Sequence, residues 1–433
     1  MPRSITIEPL AAFEASICPP GSKSLTNRAL LLSALAEGRS IIRRPLWADD
    51  TRRMVEALRR IGFDLDADED RIEIEGGAVR SDPGAPIRLD LGNSGTSIRS
   101  LAAACCLWPG RFTLDGIERM RRRPIGELVD ALRQLGASIA YEADDGFPPL
   151  TVDGGSLNGG EVEIGPMQSS QYVTALLMIG PRCGNGLSLR IGGAIPSRPY
   201  VVMTLGLMQR FGAEVDADAA LTRIDVKSAS CRAIEYEVEP DASSASYFLA
   251  LAAVIPGSKC TITGLGRRSL QGDVGIADVL HQMGASILFG PDFLTVMAPP
   301  DGARLKGVDV DLNAMPDMAM TLAAAALFAD GPTTIRNVPN LRIKETDRMA
   351  ALDHELTKLG ARVRIDGGDL HIEAPSDGDL RPADIDTYDD HRIAMSFAVA
   401  AAASPARIAI NDPDCVSKTY PGFFDDLEAL RRM

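Results

Sequence analysis

The residues best suited to binding an anion stand at the start of an apolar helix, in the segment SKSLTNRALLLSAL. Lys23, Ser24 and Arg28 place two cationic groups beside a hydroxyl, and a helix N-terminus already attracts anions through its free N–H groups and its dipole. The segment is not a P-loop, because the pattern G-x-x-x-x-G-K-[ST] is absent. It predicts either a seat for a phosphate or carboxylate group or a solvated helix start.

Further groups with anion-binding chemistry recur along the chain. In LGNSGTSIR, Gly92 and Gly95 would let a ligand approach the backbone closely. The loop ERMRRRPIGEL crowds several arginines, Arg123 among them, which either share an anion or form a solvated face. In LRIKETDR, Lys344 and Arg348 are spaced i, i+4, which predicts that they lie on one helix face.

Three kinds of side chain could move protons. Asp317 enters an apolar helix in MPDMAMTLA, where burial would raise its pKa toward that of a general base, although it also suits a helix N-terminal charge. Glu345 follows Lys344 and points either into the same cleft or toward a neighbouring cation. His391, in YDDHRIAM, is either a cation stabilised by its acidic neighbours or a helix-start histidine bonded to Asp.

Other chemistries lack their residue patterns. The 4 histidines show no metal-ligand spacing and the 7 cysteines include no C-x-x-C pair, so we predict no metal site. No nucleophile elbow surrounds a serine, and no Gly-x-Gly-x-x-Gly follows a strand, which argues against a hydrolase triad and a dinucleotide fold. What remains is acid–base chemistry on anionic substrates without a cofactor.

The elements that must position these groups form an internal repeat. Five segments contain an amphipathic helix, a glycine and two short alternating strands, and these glycines recur every 72 to 76 residues, at Gly62, Gly136, Gly212, Gly284 and Gly360. A second type of helix, polar at its start and apolar nearly all round, is predicted to form the buried centre of each unit. Ser, Asn or Asp at the starts of these helices predict N-terminal caps.

A sixth repeat lacks its last two strands, because the sequence ends directly after the helix PGFFDDLEALRRM. The strand-like runs SITIEP and AFEASIC have no helix before them and are predicted to supply both strands. We therefore predict an α/β (α+β) fold of six helix-strand units in two domains of three. One domain comprises residues 20–239, and the other comprises residues 1–19 and 240–433.

The composition restricts the partners and the compartment. With 45 Lys and Arg against 59 Asp and Glu, the formal net charge is -14, which disfavours nucleic acid and anionic membranes as partners. The apolar stretches are shorter than the roughly 20 residues that a membrane span needs, and the N-terminus shows no signal-peptide core. We therefore predict a cytoplasmic protein whose cysteines are mostly buried, reduced thiols.

Taken together, these motifs resemble those of 5-enolpyruvylshikimate-3-phosphate synthases along essentially the whole chain. The resemblance rests on segments that occur in the family's order, namely PGSKSLTNRALLL, LGNSGTSIR, RMRRRPIGELVDAL, SSQYVTALLM, PSRPY, DASSASYFLA, MPDMAMTLA, LRIKETDR, YDDHRIAM and SKTYPGFF. It implies a two-domain inside-out α/β barrel built from six repeated units, three per domain, which agrees with the repeat found above. It also implies a monomer without a cofactor, whose active site lies in the cleft between the domains.

The resemblance further implies two sets of ligand-binding residues. The 3-phosphoshikimate set comprises Lys23, Ser24, Arg28, Ser169, Ser170, Gln171, Ser197, Tyr200, Asp317, Asn340 and Lys344. The phosphoenolpyruvate set comprises Lys23, Gly95, Arg123, Gln171, Arg348, Arg392 and Lys418. Closure of the two domains over these small-molecule substrates would exclude water.

The implied reaction is an addition followed by an elimination. The 5-hydroxyl of 3-phosphoshikimate attacks C2 of phosphoenolpyruvate while C3 gains a proton, and the tetrahedral intermediate then expels phosphate. Asp317 would accept the hydroxyl proton, and Glu345 and Lys23 are candidates for proton delivery and return. Arginines that neutralise phosphate and carboxylate charge would contribute several kcal/mol to transition-state stabilisation.

Two departures from the family pattern bear on inhibition by glyphosate. Ser94 stands where sensitive members often have alanine, and Ser100 stands where they often have the proline after the arginine. Gly95 is retained and leaves room for the inhibitor, so we predict sensitivity to glyphosate. Ser100 acts against this prediction, because loss of the proline could shift the helix that carries Gly95.

Three alternatives remain open. A related transferase that acts on UDP-N-acetylglucosamine shares the repeat, but its usual reactive cysteine has no counterpart in DGIERMRRRPIG. A non-enzymatic sensor of phosphorylated sugars would use the same cationic groups, but Asp317 and Glu345 would have no functional role in it. Nucleotide or RNA-end processing on a similar repeat is disfavoured by the acidic balance and by an aromatic content of 5%.

Overall fold

The computed structural model describes residues 3–77, 86–155, 157–376 and 378–432 of the chain. The chain divides into two compact units, one formed by Met1–Pro20 with Glu239–Met433 and the other by Gly21–Val238. Both units repeat one pattern, in which a strand, a buried helix, a second strand and an amphipathic helix are followed by closing strands. Each unit is described by itself below.

The helices and strands are short and closely spaced. The N-terminal segment contributes β1 (Ser4–Ile7) and β2 (Glu14–Ile17). The unit Gly21–Val238 contains α1 (Lys23–Leu35), β3 (Gly38–Arg43), α2 (Asp49–Ile61), β4 (Asp64–Ala67), β5 (Arg71–Gly76), β6 (Ile87–Asp90), α3 (Gly95–Ala104), β7 (Gly110–Asp115), α4 (Gly126–Gln134), β8 (Ser138–Tyr141), β9 (Leu150–Gly154), β10 (Gly160–Ile164), α5 (Gln171–Ile179), β11 (Leu187–Ile191), α6 (Pro199–Arg210), β12 (Val215–Ala217), β13 (Arg223–Val226) and β14 (Glu235–Glu237).

The other unit continues the same alternation after Glu239. It contains α7 (Ala242–Val254), β15 (Lys259–Thr263), α8 (Ile276–Gln282), β16 (Ser286–Phe289), β17 (Phe293–Met297), β18 (Leu305–Lys306), β19 (Asp309–Asp311), α9 (Ala319–Ala326), β20 (Ala329–Asp330), β21 (Thr333–Arg336), α10 (Arg348–Lys358), β22 (Arg362–Asp366), β23 (Asp369–Glu373), β24 (Ala383–Ile385), α11 (His391–Ala402), β25 (Ile408–Asn411) and α12 (Phe423–Ala429). Short 3₁₀ turns connect several of these elements.

The sheets of the repeats share one strand order. In the second repeat, β6 lies parallel to β7, β7 antiparallel to β9, and β9 antiparallel to β8. The same order is found in β10–β11–β13–β12 and in β19–β21–β23–β22. The first repeat takes its first strand, β14, from the far end of its unit, in the order β14–β3–β5–β4. The short strands β18 and β20 form a separate parallel pair.

The N-terminal strands join different sheets. β1 pairs antiparallel with β25 in the order β1–β25–β24, which is a closing position in the sixth repeat, as the sequence predicts. β2 instead lies parallel to β15 at the edge of the sheet β16–β17–β15–β2. The prediction that both strands complete the sixth repeat is therefore wrong for β2. A short alternating run fits the edge of either sheet, so its pattern alone does not choose between them.

The helices that are apolar nearly all round are buried, as predicted, and they pack against one another inside each of the two compact units. Every residue of α7 from Ala242 to Ala253 is buried, and α7, α9 and α11 pack against one another. In the other unit α3 packs against α5, and α1 packs against both. A helix that is covered on every side needs no polar face, which explains why these sequences lack amphipathic periodicity.

The amphipathic helices bury one face and end in left-handed glycines. In α2, Met54, Leu58 and Ile61 are buried, whereas Arg59 and Arg60 are exposed. The glycines that mark the repeat adopt φ values of 113°, 94°, 82°, 109° and 96° at Gly62, Gly136, Gly212, Gly284 and Gly360. A side chain is strained in that conformation, so glycine is the residue that ends such a helix at least cost.

Two further findings concern the chain as a whole. Cys18 is exposed, and the other cysteines are buried as free thiols. Within the described ranges, none of the helices has both the length and the apolar character that crossing a bilayer would require.

Candidate active site

In the unit Gly21–Val238, side chains from α1 and α3 converge on the first turn of α5. Arg28 on α1 donates from Nε to Thr204 Oγ1 at 2.8 Å and from Nη2 to Thr174 Oγ1 at 3.4 Å. Arg99 on α3 donates from Nη1 to the side-chain oxygen of Gln171 at 2.9 Å. Because Gln171 and Thr174 form the first turn of α5, cationic groups of both neighbouring helices converge on that turn.

Arg28 is buried among uncharged groups. Only 2% of the residue is exposed, and its third hydrogen bond goes from Nη1 to the carbonyl oxygen of Ser24 at 3.0 Å. Burial lowers the pKa of Arg28 to about 10, an effect that Tyr200 only partly offsets. A buried cation whose hydrogen-bond partners are hydroxyls and a carbonyl would be stabilised by an anion, which fits a phosphate or carboxylate seat.

Gly95 allows two guanidinium groups to approach the start of α3. A Cβ atom added at Gly95 would lie 2.5 Å from Arg123 Nη2 and 2.5 Å from Arg99 Nη1. Arg123 is 3% exposed and donates from Nη1 to the backbone oxygen of Asn93 at 2.9 Å. A side chain at position 95 would therefore displace both guanidinium groups from the helix start.

Lys23 is paired with an acid that sequence reasoning missed. Its Nζ lies 3.2 Å from Asp50 Oδ2, and 12% and 5% of the two side chains are exposed. Asp50 and Asp49 stand in the first turn of α2, where acidic residues commonly complement the helix dipole. No local pattern distinguishes Asp50 from such a helix charge, because its contact with Lys23 is made only when α1 packs against α2.

The remaining predicted residues of this unit lie at the starts of α5 and α6. Ser169 Oγ accepts a hydrogen bond from the backbone N of Gln171 at 3.2 Å, and Ser170 directly precedes α5. Ser197 is buried with φ at 55°, in the left-handed region. Tyr200 follows it as the second residue of α6.

In the other unit, the starts of α9, α10 and α11 meet at Asp317. This residue lies in the 3₁₀ turn Pro316–Met318, directly before α9. Its Oδ1 accepts hydrogen bonds from Lys344 Nζ at 3.2 Å and from Arg348 Nη1 at 3.1 Å. Its Oδ2 lies 2.9 Å from Arg392 Nη2, and 15% of its side chain is exposed. The carboxylate thus joins residues that are far apart in sequence.

The cations set the protonation state of Asp317. Burial by itself would raise the pKa of Asp317, but Arg392, Lys344 and Arg348 outweigh it and hold that pKa well below its usual range. The prediction that burial raises the pKa of Asp317 toward that of a general base is therefore wrong for this charge distribution. The carboxylate is ionised at neutral pH.

Lys344 and Arg348 do not share a helix face. Arg348 is the first residue of α10, whereas Lys344 follows the 3₁₀ turn Pro339–Ile343 in extended conformation. The prediction from their i, i+4 spacing is wrong, because Asp347 caps the helix and separates the two residues. They are brought together by their common contact with Asp317.

Arg348 is surrounded by acids. Its Nη2 lies 2.8 Å from Glu345 Oε2, and its Nε lies 2.7 Å from Asp390 Oδ2. Burial would lower the pKa of Arg348, but Asp390, Glu345 and Asp317 outweigh it and raise that pKa. Of the two orientations left open for Glu345, the structure shows the pairing with a neighbouring cation.

Arg392 is held by a hydroxyl and a buried carboxyl that sequence reasoning also missed. Its Nη2 donates to Ser243 Oγ at 3.2 Å, and Ser243 Oγ donates to Asp273 Oδ2 at 2.5 Å. Burial and the nearby charge of Asp317 raise the pKa of Asp273 to about 6. In the sequence, Ser243 looks like an ordinary polar residue at a helix start. No local pattern therefore indicates its contacts with Arg392 and Asp273.

The last predicted residues lie near the same elements. His391 begins α11 and is buried, with Nδ1 3.8 Å from Asp390 Oδ1, which places it as a helix-start histidine beside an acid. Asn340 lies in the turn Pro339–Ile343. Lys418 ends the 3₁₀ turn Pro413–Lys418 and is buried.

Comparison with known proteins identifies the family. A sequence model of EPSP synthase (3-phosphoshikimate 1-carboxyvinyltransferase) matches residues 7–427. The chain is 47% identical over 434 residues to the 3-phosphoshikimate 1-carboxyvinyltransferase of Shewanella sp. (strain ANA-3), with 99% of this chain and 100% of that protein covered. The chain belongs to the EPSP synthase family. The 3-phosphoshikimate 1-carboxyvinyltransferase of Shewanella denitrificans is likewise 47% identical, and 99% of both chains is covered.

Solved structures of EPSP synthases share the fold. The EPSP synthase of Acinetobacter baumannii superposes with a TM-score of 0.80 at 25% identity, covering 99% of this chain and 98% of that one. The enolpyruvyl transferase NikO of Streptomyces tendae gives a TM-score of 0.78 at 18% identity, a likeness of fold alone. The predicted fold, the two-domain inside-out α/β barrel of EPSP synthases, is confirmed.

The residues predicted from the resemblance to EPSP synthases fall into two groups. The unit Gly21–Val238 carries Lys23, Ser24, Arg28, Gly95, Arg123, Ser169, Ser170, Gln171, Ser197 and Tyr200. The other unit carries Asp317, Asn340, Lys344, Glu345, Arg348, Arg392 and Lys418. Within each unit, most of these residues stand at or next to a helix start, where free N–H groups and cationic side chains favour anions.

Proposed function

We propose that this chain transfers the enolpyruvyl group of phosphoenolpyruvate to the 5-hydroxyl of 3-phosphoshikimate, giving 5-enolpyruvylshikimate 3-phosphate and phosphate. This is the shikimate-pathway reaction that leads to chorismate and the aromatic amino acids. Membership of the EPSP synthase family and identity with curated relatives along nearly the whole chain support it. The structural observation that carries the proposal is an ionised Asp317 bound by Lys344, Arg348 and Arg392.

The proposal assigns the two substrates to overlapping groups. Lys23, Ser24, Arg28, Ser169, Ser170, Gln171, Ser197, Tyr200, Asp317, Asn340 and Lys344 are proposed to bind 3-phosphoshikimate. Lys23, Gly95, Arg123, Gln171, Arg348, Arg392 and Lys418 are proposed to bind phosphoenolpyruvate. Arg28 supports this division, since a buried guanidinium whose pKa is lowered to about 10 by burial favours a phosphate as its partner.

Asp317 can accept the proton of the 5-hydroxyl once the substrates share its cations. With Lys344, Arg348 and Arg392 on its oxygens, the carboxylate is a weak base. Substrate phosphate and carboxylate groups compete for the same cations, and each cation drawn toward a substrate lets the pKa of Asp317 rise. Substrate binding therefore brings the carboxylate closer to the basicity that proton transfer needs.

Proton delivery to C3 and its return are assigned to Glu345 and Lys23. Glu345 contacts Arg348, and 8% of its side chain is exposed, while Lys23 is 12% exposed beside Asp50. Both side chains are thus largely buried, and each keeps a small exposed fraction. The cations stabilise the negative charge on the departing phosphate, and water exclusion strengthens that interaction.

Three finer statements complete the proposal. Glyphosate is proposed to inhibit the enzyme, because the retained Gly95 lets Arg123 and Arg99 approach the start of α3, where their positive charges favour an anionic inhibitor. An inhibition curve that stays flat into the millimolar range would contradict this. The monomeric state and the cytoplasmic location remain predictions from the sequence.

The proposal is tested by phosphate release from phosphoenolpyruvate in the presence of 3-phosphoshikimate. The native protein should turn over, whereas Asp317→Ala and Lys23→Met should lose about 10²-fold or more in kcat. Lys227→Met, which changes a side chain that is 75% exposed, is the matched surface control and should be unaffected. Calorimetric binding of 3-phosphoshikimate without any turnover would favour a phosphosugar sensor. Turnover with UDP-N-acetylglucosamine instead would favour the related transferase.

A further inference from the structure

A buried carboxylate outside the proposed substrate-binding groups holds the turn before α11. Glu355 lies on α10, and its side chain is 0% exposed. Its Oε1 accepts a hydrogen bond from the Tyr388 hydroxyl at 2.6 Å. Its Oε2 accepts one from the backbone N of Asp386 at 3.2 Å and lies 2.7 Å from Lys358 Nζ. One carboxylate therefore binds both the backbone and a side chain of the segment that leads into α11.

That segment contains two consecutive residues in the left-handed conformation. The φ values are 56° at Tyr388 and 54° at Asp389. Residues with side chains adopt this region infrequently, Asp more readily than Tyr, and surrounding contacts are needed to stabilise a Tyr in it. Tyr388 is 38% exposed, so packing of its ring alone does not fix it. Its hydroxyl ties it to α10 through the 2.6 Å hydrogen bond to Glu355 Oε1 and a longer contact of 3.4 Å with His354 Nδ1.

The residues that follow this turn belong to the proposed phosphoenolpyruvate site. Asp390 caps α11, accepting a hydrogen bond from the backbone N of Arg392 at 2.9 Å, and also pairs with Arg348. Arg392 reaches Asp317 at 2.9 Å. Any relaxation of the backbone at Tyr388 and Asp389 would move the start of α11 and the residues that it carries.

α10 contacts the turn on both of its sides. Arg348 and Glu355 are seven residues apart, which places them on one face of the helix, two turns from each other. Arg348 binds Asp390 after the left-handed pair, and Glu355 binds Asp386 and Tyr388 before and within it. Burial and the charge of Glu355 raise the pKa of Tyr388, so its hydroxyl remains a donor across the working pH range.

We propose that Glu355 is a positioning residue for enolpyruvyl transfer. Through Tyr388 it keeps residues 388 and 389 left-handed, and this sets Asp390 against Arg348 and Arg392 against Asp317. The kinetic consequence rests on the proposed function, because Arg392 is assigned there to phosphoenolpyruvate. Glu355 itself touches no proposed substrate group, so its effect should appear mainly in the KM for phosphoenolpyruvate.

The test compares Tyr388→Phe with native protein. This change removes only the hydroxyl and leaves the ring and the left-handed backbone requirement in place. We expect the KM for phosphoenolpyruvate to rise about 10-fold and the KM for 3-phosphoshikimate to change less than about 2-fold. Adding Asp389→Gly to Tyr388→Phe should recover part of the loss, because glycine adopts positive φ without strain. Glu355→Gln should act in the same direction as Tyr388→Phe.

A matched control is available in the other unit. Ser188 donates its hydroxyl to Asp225 Oδ1 at 2.6 Å, so Ser188→Ala removes a hydroxyl-to-carboxylate bond of the same length away from this turn. It should leave both KM values unchanged. If Tyr388→Phe leaves the KM for phosphoenolpyruvate within about 2-fold, or raises both KM values equally, the proposal is overturned.

A crystal structure of Tyr388→Phe separates this proposal from the proposed function. Absence of turnover in native protein contradicts enolpyruvyl transfer but not the positioning of Arg392. In that case the geometry decides: displacement of Arg392 from Asp317 supports the role of Glu355. Retention of positive φ at residues 388 and 389, with Arg392 still on Asp317, overturns it. Tyr388→Phe suffices for this readout even if Glu355→Gln does not fold.

Discussion

Arg348 and Asp390 form a bidentate ion pair that is closed off from solvent. Arg348 Nε lies 2.7 Å from Asp390 Oδ2 and Nη2 lies 3.2 Å from Oδ1, with 1% and 0% of the side chains exposed. Such a pair contributes little stability relative to a well-packed apolar pair, but removal of one partner leaves the other charge buried and uncompensated. The ion pair therefore ties α10 to the start of α11 and makes each partner depend on the other.

Arg348→Met should lower the free energy of unfolding by about 3 to 5 kcal/mol, because Asp390 then keeps a buried charge without its main cation. Adding Asp390→Asn should restore part of the loss, since the amide removes that charge and can still cap α11. Urea unfolding followed by far-UV circular dichroism measures both effects. Tryptophan fluorescence is less suitable, because Trp47 and Trp108 lie in the other unit. Additive losses in the double variant would contradict the argument.

Gly95→Ala should weaken phosphoenolpyruvate binding. The new Cβ would lie 2.5 Å from Arg123 Nη2 and Arg99 Nη1 and 2.8 Å from Arg123 Cζ, so both guanidinium groups must move. We expect the KM for phosphoenolpyruvate to rise by about 10-fold or more, since charged hydrogen bonds to a ligand contribute roughly 1.5 to 3 kcal/mol.

Steady-state kinetics at saturating 3-phosphoshikimate checks this prediction. Gly184→Ala is the matched control, because Gly184 is exposed and a Cβ added there would lie 3.9 Å from the Asn158 carbonyl oxygen, which is an ordinary van der Waals contact. The two variants carry the same chemical change, so an equal effect of both would show that steric displacement of the arginines is not the cause.

The repeat could be predicted from the sequence because local geometry encodes it. Gly136 and Gly360 mark helix ends where φ is 94° and 96°, a conformation that selects glycine from the neighbouring backbone alone. The burial of α7 can likewise be predicted from its uniformly apolar sequence. The sheet that β2 joins was not predictable in this way, because its partner β15 is more than two hundred residues away and edge strands have few distinguishing residues.

The candidate site could be predicted only as far as its residues belong to recognisable motifs. Contacts that join distant segments, such as Lys23 with Asp50 and Glu355 with Tyr388, leave no local pattern. The pKa of Asp317 shows the same limit. Its burial follows from the apolar helix that it precedes, but the direction of the shift depends on Arg392, which only the packing of α11 beside α9 brings within reach.

Arg28→Met should stabilise the protein while abolishing turnover. The pKa of Arg28 is lowered to about 10 because its charge is buried, and a shift of that size corresponds to a penalty of about 3 kcal/mol at neutral pH. The hydroxyls left behind keep partners, since Thr174 and Thr204 lie 3.2 Å apart and Thr204 donates to the Tyr200 carbonyl oxygen at 2.7 Å.

Thermal melts with and without inorganic phosphate test this prediction. Phosphate should raise the Tm of native protein, because the anion offsets the buried charge, and should raise the Tm of Arg28→Met by less. Arg190→Met, at a side chain that is 56% exposed, is the control and should respond to phosphate like native protein. A Tm of Arg28→Met below that of native protein would contradict the assigned burial penalty.

Asp273→Asn should change how stability depends on pH. The folded pKa of about 6 lies above the ordinary value of an aspartic acid. Between pH 4 and 6 the folded protein therefore binds more protons than the unfolded chain at this site, and stability falls as pH rises through that window. The penalty, about 3 kcal/mol, is fully present above pH 6 and absent at low pH.

Because asparagine does not titrate, Asp273→Asn should be more stable than native protein at pH 7 and should lose that advantage toward pH 4. Tm values measured from pH 2.5 to pH 8 give the difference directly and include the range in which the control changes. Asp225→Asn is a control of opposite sign, since the Ser188 hydroxyl and Arg223 lower the pKa of Asp225 despite partial burial. That variant should be less stable at pH 7, with a deficit that shrinks as the pH falls below 4. A pH-independent difference for Asp273→Asn would mean that burial and the charge of Asp317 do not raise the pKa of Asp273.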